Sequence, residues 1–362
     1  MKQFLTGSEV CVQAAFDAAA EMMYGYPITP ATEVFTGWIK RGGKYLQTED
    51  EVAAGFAVCG AVMAGQKAFT ATAGPGHVLM QDALSMAEGM RLPFVAVIGA
   101  RGGPSSGTVI YSQQEVTLAC FGGNGEGFRL VYSPSDLNEL YILTRRAFNE
   151  AWQYKFPAIV LSDGYLLKSK GVFELEGEGQ GIQNVPPYSL IKQGEVKHWR
   201  NIYTFEEELY EVLEQYKKDF DAIKEKLATA EEYHTDDAEI LLIAHGIVGA
   251  SAKEAVDELR NQGVKVGLFR PVTLRPFPKK QLDELAGRVK KIIIIESSLG
   301  QLANLVHQEF DPTISVAIEY LQKPALGIEP RNIVEEILDC HSRKSGNPGR
   351  WFLTTGSPPS RG

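Results

Sequence analysis

Along residues 8–23, Val10, Ala14, Ala15, Ala18, Ala19 and Met22 recur at helical spacing behind Ser8, which predicts a helix capped by that serine. Residues 25–30, Gly-Tyr-Pro-Ile-Thr-Pro, interrupt the pattern. Pro27 and Pro30 lack backbone donors and hold φ near −65°, and Tyr26 and Thr29 each precede a proline and are pushed to extended conformations. A stiff loop presenting the Thr29 hydroxyl and the Tyr26 ring is predicted, although a plain helix connector would look the same locally. A second helix over 31–40, a short strand over 44–47 and a helix over 51–64 follow. The last is rich in small residues (Ala53, Ala54, Gly55, Ala57, Gly60, Ala61, Ala64), which let another backbone approach closely, within the chain or across a subunit contact.

Residues 68–73 read as a strand running into Gly74-Pro75-Gly76, and 78–90 as a helix. Residues 93–99 form a continuous apolar run, the mark of a strand buried on both faces. Strands over 129–132 and 158–161 bracket a helix over 135–154. This alternation predicts an α/β fold with a parallel sheet. Residues 165–235 differ, with a Gly/Glu-rich stretch, Pro186-Pro187 and a charged helix over 205–228, and read as a linker with a helical arm. From about 236 a second α/β unit is predicted: strands over 239–244, 264–269, 291–295 and 315–319, and helices over 251–262, 279–288, 301–309 and 332–340. Residues 343–362 lack periodicity and carry many Gly and Pro, which predicts a disordered tail. The expected division is therefore 1–170, 171–235, 236–342 and 343–362.

Composition narrows the function classes. The 362 residues include 36 basic and 45 acidic side chains, for a net charge of −9, with no basic patch to favour nucleic acid. No run approaches the roughly 20 apolar residues of a membrane span, and the first residues lack a signal-peptide core. A cytoplasmic protein is expected. Cys11, Cys59, Cys120 and Cys340 are scattered, and no His pair sits at helical ligand spacing, so no metal site is expected in this chain.

Candidate chemistry gathers at predicted strand ends, where α/β sheets place ligands. Glu49-Asp50-Glu51 opens the small-residue helix, and acids there are also ordinary caps. Glu51 stands apart because a helix able to seat a flat ring follows it. Arg101 follows the buried strand and opens Gly-Gly-Pro-Ser-Ser-Gly. A guanidinium there suits a carboxylate, with Ser105 and Ser106 as further donors. Gly74-Pro75-Gly76 lets a backbone approach a flat ligand. Ser162-Asp163-Gly164 reads as a plain turn. No Gly-x-Gly-x-x-Gly junction or P-loop occurs.

These motifs, in this order and spacing, resemble the α subunit of 2-oxoacid:ferredoxin (2-oxoacid:acceptor) oxidoreductases. They are residues 25–30, Gln47-Thr48-Glu49-Asp50-Glu51, Thr70-Ala71-Thr72-Ala73-Gly74-Pro75-Gly76, and 101–107. The resemblance is close over about residues 1–170 and implies a thiamine-diphosphate (pyrimidine) domain followed by a transketolase C-terminal-like domain. It implies that Glu51, with Glu49 as fallback, hydrogen-bonds N1′ of the cofactor's aminopyrimidine. A carboxyl in that role needs a dry site that raises its pKa. It further implies that Gly74, Pro75 and Gly76 face the cofactor, and that Thr29, Arg101, Tyr26 and Ser105 face the substrate. The Arg-Gly-Gly-Pro-Ser-Ser-Gly loop looks more like the 2-oxoglutarate-type members than the pyruvate or branched-chain types.

The family's diphosphate and Mg²⁺ anchor, Gly-Asp-Gly followed by Asn, is absent from this sequence. The resemblance therefore implies half of an active site. A β subunit would bring the diphosphate, the Mg²⁺ and an iron–sulfur cluster, with γ and ferredoxin-like δ subunits as further partners. The expected reaction takes a 2-oxoacid and coenzyme A to acyl-CoA and CO2, with electrons passing to ferredoxin. Two rivals remain at this stage: another thiamine-diphosphate enzyme of transketolase type, which would need no electron acceptor, and a non-catalytic paralogue.

Overall fold

The computed structural model describes residues 2–174, 181–187 and 199–342. Its first layer is a seven-stranded sheet of β2 (Met22–Gly25), β3 (Lys44–Gln47), β4 (Ala68–Thr72), β5 (Val95–Ala100), β6 (Leu130–Tyr132), β7 (Ala158–Asp163) and β12 (Thr273–Arg275). The order is β12-β6-β7-β5-β4-β2-β3, with every pairing parallel except that of β12 on β6. β4, β5 and β7 are buried along their whole length because helices cover both faces. Those helices are α1 (Gly7–Asp17), α2 (Thr32–Lys40), α3 (Glu51–Met63), α4 (Pro75–Leu79), α5 (Gln81–Gly89), α6 (Val116–Phe121), α7 (Leu137–Tyr154) and α8 (Gly164–Lys168). A small antiparallel pair, β1 (Gln3–Thr6) with β8 (Lys170–Phe173), ties the two ends of this layer together.

The charged helix α9 (Glu206–Leu227) leads into the second layer. Its sheet is β14-β13-β10-β11-β9, built from β9 (Ala230–Tyr233), β10 (Ile240–Ile243), β11 (Val266–Pro271), β13 (Lys291–Glu296) and β14 (Ala317–Gln322). Only the β9 pairing is antiparallel. Helices α10 (Gly246–Asn261), α11 (Lys279–Ala286), α12 (Gln301–Glu309) and α13 (Pro330–Ser342) complete it. The α/β class with parallel sheets is as expected.

Several local expectations are corrected. The helix predicted over 8–23 stops at Asp17, and Met22–Gly25 becomes a strand. Ala19 takes φ 58°, and Met23 is fully buried between β3 and β4, so sheet pairing overrides helical spacing. The cap is Thr6, in a capping box with Glu9; the Ser8 hydroxyl instead donates to the Leu167 carbonyl. The helix predicted over 78–90 starts at Pro75 and divides into α4 and α5. Within the proline-stiffened stretch 269–278, β12 crosses to the first sheet, a pairing no local pattern announces. The tail expected over 343–362 and residues 175–180 of the Gly/Glu-rich stretch lie outside the described residues.

One buried polar network ties part of the core together. Arg129 is fully buried and grips Glu88 through two contacts of 2.6 and 2.8 Å, with further bonds to Gln81 and the Gly122 carbonyl. Removing one partner of such a pair costs about 3–5 kcal/mol. Cys11, Cys59 and Cys120 are buried free thiols, and burial pushes each up to about 12, which favours the neutral thiol over the reactive thiolate.

Candidate active site

Because its neighbours run parallel, the first sheet delivers its strand ends to one edge. The chain passes from β2 outward to β3 and then from β4 in the opposite direction to β5, so the order reverses between β2 and β4. Ligand crevices form at such reversals. The loop at 25–30 leaves β2, Glu51 follows β3, Gly74 follows β4 and Arg101 follows β5.

Glu51 is the first residue of α3. Asp50 caps that helix by accepting from the Ala53 N–H at 2.7 Å, and the Thr48 hydroxyl donates to the Asp50 carbonyl at 2.8 Å. These bonds hold the Glu51 side chain inward, where it is only 4% exposed. Its Oε1 is buried with no hydrogen-bond partner. Burial pushes the carboxyl above its ordinary value of 4.5; a hydrogen bond from its own backbone N–H opposes the rise, the charge of Asp50 adds to it, and the Arg101 charge opposes it. Glu49, by contrast, is exposed. Behind Glu51, Gly55 packs against Ala83 of α5, so part of the small-residue stripe is used within the chain.

Gly76 lies directly against this carboxyl. A Cβ there would sit 2.3 Å from Glu51 Oε1 and 2.2 Å from Thr72 Oγ1, which is itself buried without a partner. Gly74, at φ 48°, plays the same part for Arg101: a Cβ would meet the guanidinium Nε at 2.6 Å. Arg101 is buried, and its Nη1 donates to the Thr29 carbonyl at 2.7 Å while its Nε has no partner. Thr29 thus meets Arg101 through its backbone. An unpartnered acid oxygen and an unpartnered guanidinium N–H flank one three-residue turn. Buried polar groups are seldom left unpaired, and these two are suited to a ligand that accepts from Arg101 and meets the Glu51 acid.

Pro75 occupies the first turn of α4. Tyr26 is exposed, and Ser105 is exposed at φ 56° with no hydrogen bond to the other candidates among the described residues. Asp163 ends β7 and caps α8 by accepting from Leu166 N at 2.9 Å, so the stretch read as a plain turn is a direct strand-to-helix junction, and burial pushes its carboxyl up to about 7. The second layer braces the Arg101 loop: Gln113 exchanges backbone and side-chain bonds with Ser297 and donates to the His245 carbonyl, and Gln301 Nε2 donates to the Gln114 carbonyl. Two residues that sequence reading passed over stand out. Thr72 lay inside a recognised motif, but Glu115 lay in none, since its reach to Gly74, Arg101 and His77 is purely tertiary. Among the described residues no group of three His, Cys, Asp or Glu could hold a metal ion, and no helix is long and apolar enough to cross a membrane.

A family model for pyruvate flavodoxin/ferredoxin oxidoreductases, of the thiamine diphosphate-binding kind, matches residues 13–239, and one for the pyruvate:ferredoxin oxidoreductase core domain II matches 238–324. The chain belongs to the pyruvate flavodoxin/ferredoxin oxidoreductase family. Its relatives include the ketoisovalerate oxidoreductase subunit VorB of Methanothermobacter marburgensis, 35% identical over 309 residues, covering 83% of this chain and 87% of the relative. The 2-oxoglutarate synthase subunit KorA of the same organism is 32% identical over 332 residues, covering 83% and 88%. A solved structure, 2-oxoglutarate:ferredoxin oxidoreductase from Magnetococcus marinus with 2-oxoglutarate, coenzyme A and succinyl-CoA bound, superimposes with a TM-score of 0.84 at 26% identity. That match covers 93% of this chain and 65% of the other, so the chain spans about two thirds of that protein's length.

The family model of the first layer is described as thiamine diphosphate-binding, and a flat heteroaromatic ring with a basic nitrogen would fit a buried acid beside an open backbone turn. The Glu51 carboxyl, raised by burial, and the side-chain-free face of Gly76 supply these two features. The diphosphate anchor Gly-Asp-Gly is missing from the sequence.

Proposed function

We propose that this chain is the α-type subunit of a heteromeric 2-oxoacid:ferredoxin oxidoreductase. In it, Glu51 meets the aminopyrimidine of thiamine diphosphate and Arg101 meets the substrate carboxylate. The observation that carries this reading is the pairing of two buried, unpartnered groups, Glu51 Oε1 and Arg101 Nε, across the Gly74-Pro75-Gly76 turn. Bound thiamine diphosphate supplies the nucleophilic carbon and the electron sink that decarboxylation of a 2-oxoacid requires. The chain's own residues do the rest. Glu51 holds a proton at a dry carboxyl, and burial, by raising its pKa, favours that protonated form. Arg101 orients the carboxylate, and the Thr29 carbonyl steadies its guanidinium. Gly74 and Gly76 let a flat ring come close, and Tyr26 and Ser105, both exposed, are assigned to further substrate contacts.

A partner subunit carries the diphosphate site, Mg²⁺ and an iron–sulfur cluster, coenzyme A takes the acyl group, and ferredoxin takes the electrons. The support for this is the missing Gly-Asp-Gly and the naming of the relatives as subunits. The purified complex should reduce a viologen dye only when a 2-oxoacid and coenzyme A are both present, and this chain alone should not. Side-by-side kinetics with 2-oxoglutarate, ketoisovalerate and pyruvate then name the substrate, with 2-oxoglutarate expected from the Arg-Gly-Gly-Pro-Ser-Ser-Gly loop. Turnover that needs no electron acceptor would replace this reading with a transketolase-type enzyme.

Gly76 offers a second check. Gly76→Ala places a methyl against Glu51 and Thr72. It should cost about 1–3 kcal/mol of stability by overpacking and, by displacing the Glu51 carboxyl, roughly 100-fold in turnover. Thermal melts and dye-reduction rates on the same preparation measure both; a variant that melts lower but turns over normally would separate Gly76 from the site.

A further inference from the structure

We infer that Glu115 is a positioning residue that sets the geometry of Arg101 and of the Gly74-Pro75-Gly76 turn. The inference deepens the reading above and rests on it. Glu115 precedes α6 and is only 5% exposed. Its Oε1 accepts from the Gly74 N–H at 3.0 Å and from the Arg101 N–H at 2.9 Å, and its Oε2 lies 2.7 Å from His77 Nδ1. One carboxylate therefore joins the end of β4, the end of β5 and the body of α4. Each attachment point touches the site. Arg101 is itself a site residue, Gly74 lies against the Arg101 guanidinium, and His77 follows Gly76, which lies against the Glu51 carboxyl.

The bonds are specific to an acid at this place. A carboxylate accepts at both oxygens, so the His77 ring donates through Nδ1 and its tautomer is set. An alanine would leave the buried Arg101 N–H, the half-buried Gly74 N–H and a buried imidazole without this partner. Glutamine would keep the two backbone bonds through its own Oε1, while its amide would donate to His77 in the other tautomer. The rest of the Arg101 loop has independent support, because Gly102 N–H donates to Thr108 Oγ1 and Gly103 N–H to Gln114 Oε1. Loss of Glu115 should therefore shift the two turns without dissolving the loop.

The test has two arms. In the first, hydrogen exchange by mass spectrometry on the isolated chain follows peptides containing Gly74 and Arg101. In Glu115→Ala these amides should exchange at least about tenfold faster, and Glu115→Gln should restore most of the protection. In the second arm, 2-oxoacid kinetics of the assembled complex are measured for Glu115→Ala, Arg101→Ala and the double variant. Glu115→Ala should lower kcat/KM about tenfold, chiefly through KM, and should add less than about twofold in the Arg101→Ala background. Glu115→Asp, which withdraws the carboxylate by one methylene, serves the same tests if the alanine variant does not fold.

Unchanged exchange in both Glu115→Ala and Glu115→Asp overturns the inference, as does a loss fully additive with Arg101→Ala, the mark of general support to the fold. Normal kinetics in Arg101→Ala would instead sink the assignment of Arg101 to the substrate. A defect in Arg101→Ala with normal kinetics in Glu115→Ala sinks only the role of Glu115.

Discussion

Glu51→Gln in the assembled complex should lower 2-oxoacid turnover at least about 100-fold, the range expected for removal of a positioned acid–base group, while subunit association is retained. Glutamine fills the same volume but cannot exchange a proton at Oε1, the oxygen left unpartnered in the buried turn. The same variant carries a stability signature. Burial raises the Glu51 carboxyl above 4.5, so the folded chain holds its proton more tightly than the unfolded chain does. Ionisation then penalises the fold: the penalty is absent below about pH 4, grows as pH rises through the unfolded value, and is complete above the folded one. Glu51→Gln should thus melt at or above the wild-type temperature at pH 7 and alike at pH 4, as read by circular dichroism across a pH series. Near-normal turnover in this variant would remove Glu51 from the chemistry. A lower melting temperature at pH 7 would mean that the carboxylate has a stabilising partner.

Arg101→Ala should lower kcat/KM for the 2-oxoacid by roughly 30- to 900-fold, equivalent to about 2–4 kcal/mol, the cost of losing a buried charged contact. The guanidinium is held on one side by the Thr29 carbonyl and on the other by the bare face of Gly74, with Nε free to donate. Arg101→Lys should recover little, because an ammonium lacks the planar fork that meets a carboxylate and the Thr29 carbonyl together. Steady-state kinetics with varied 2-oxoacid at saturating coenzyme A decide the matter. An unchanged kcat/KM in Arg101→Ala would place the substrate carboxylate elsewhere.

Much of the fold could be read from local pattern. The apolar runs at 93–99 and 292–295 lie in buried strands because a strand covered on both faces has no polar side to alternate with. Pattern failed where pairing partners are distant in the chain. Met22 and Met23 look helical beside the preceding alanines and join a strand only because β3 and β4 accept it, and β12 exists only because β6 lies across from it. The candidate site divides in the same way. Glu51, Arg101 and the Gly-Pro-Gly turn sit in recognisable motifs at strand ends. Glu115 sits in none, and the exposure of Ser105 and Tyr26 depends on how their loops fold back.

The sequence by itself determined the α/β class, the clustering of chemistry at strand ends and the lack of a Gly-Asp-Gly anchor, because periodicity and motif spacing are local properties of the chain. Only the tertiary structure decided which acid of Glu49-Asp50-Glu51 turns inward and that the guanidinium of Arg101 lies against Gly74. It alone decided that one carboxylate, Glu115, ties the ends of two strands together. Burial, and the pKa rise it causes, arises from segments far apart in sequence closing over one another, and no window of the chain contains that information.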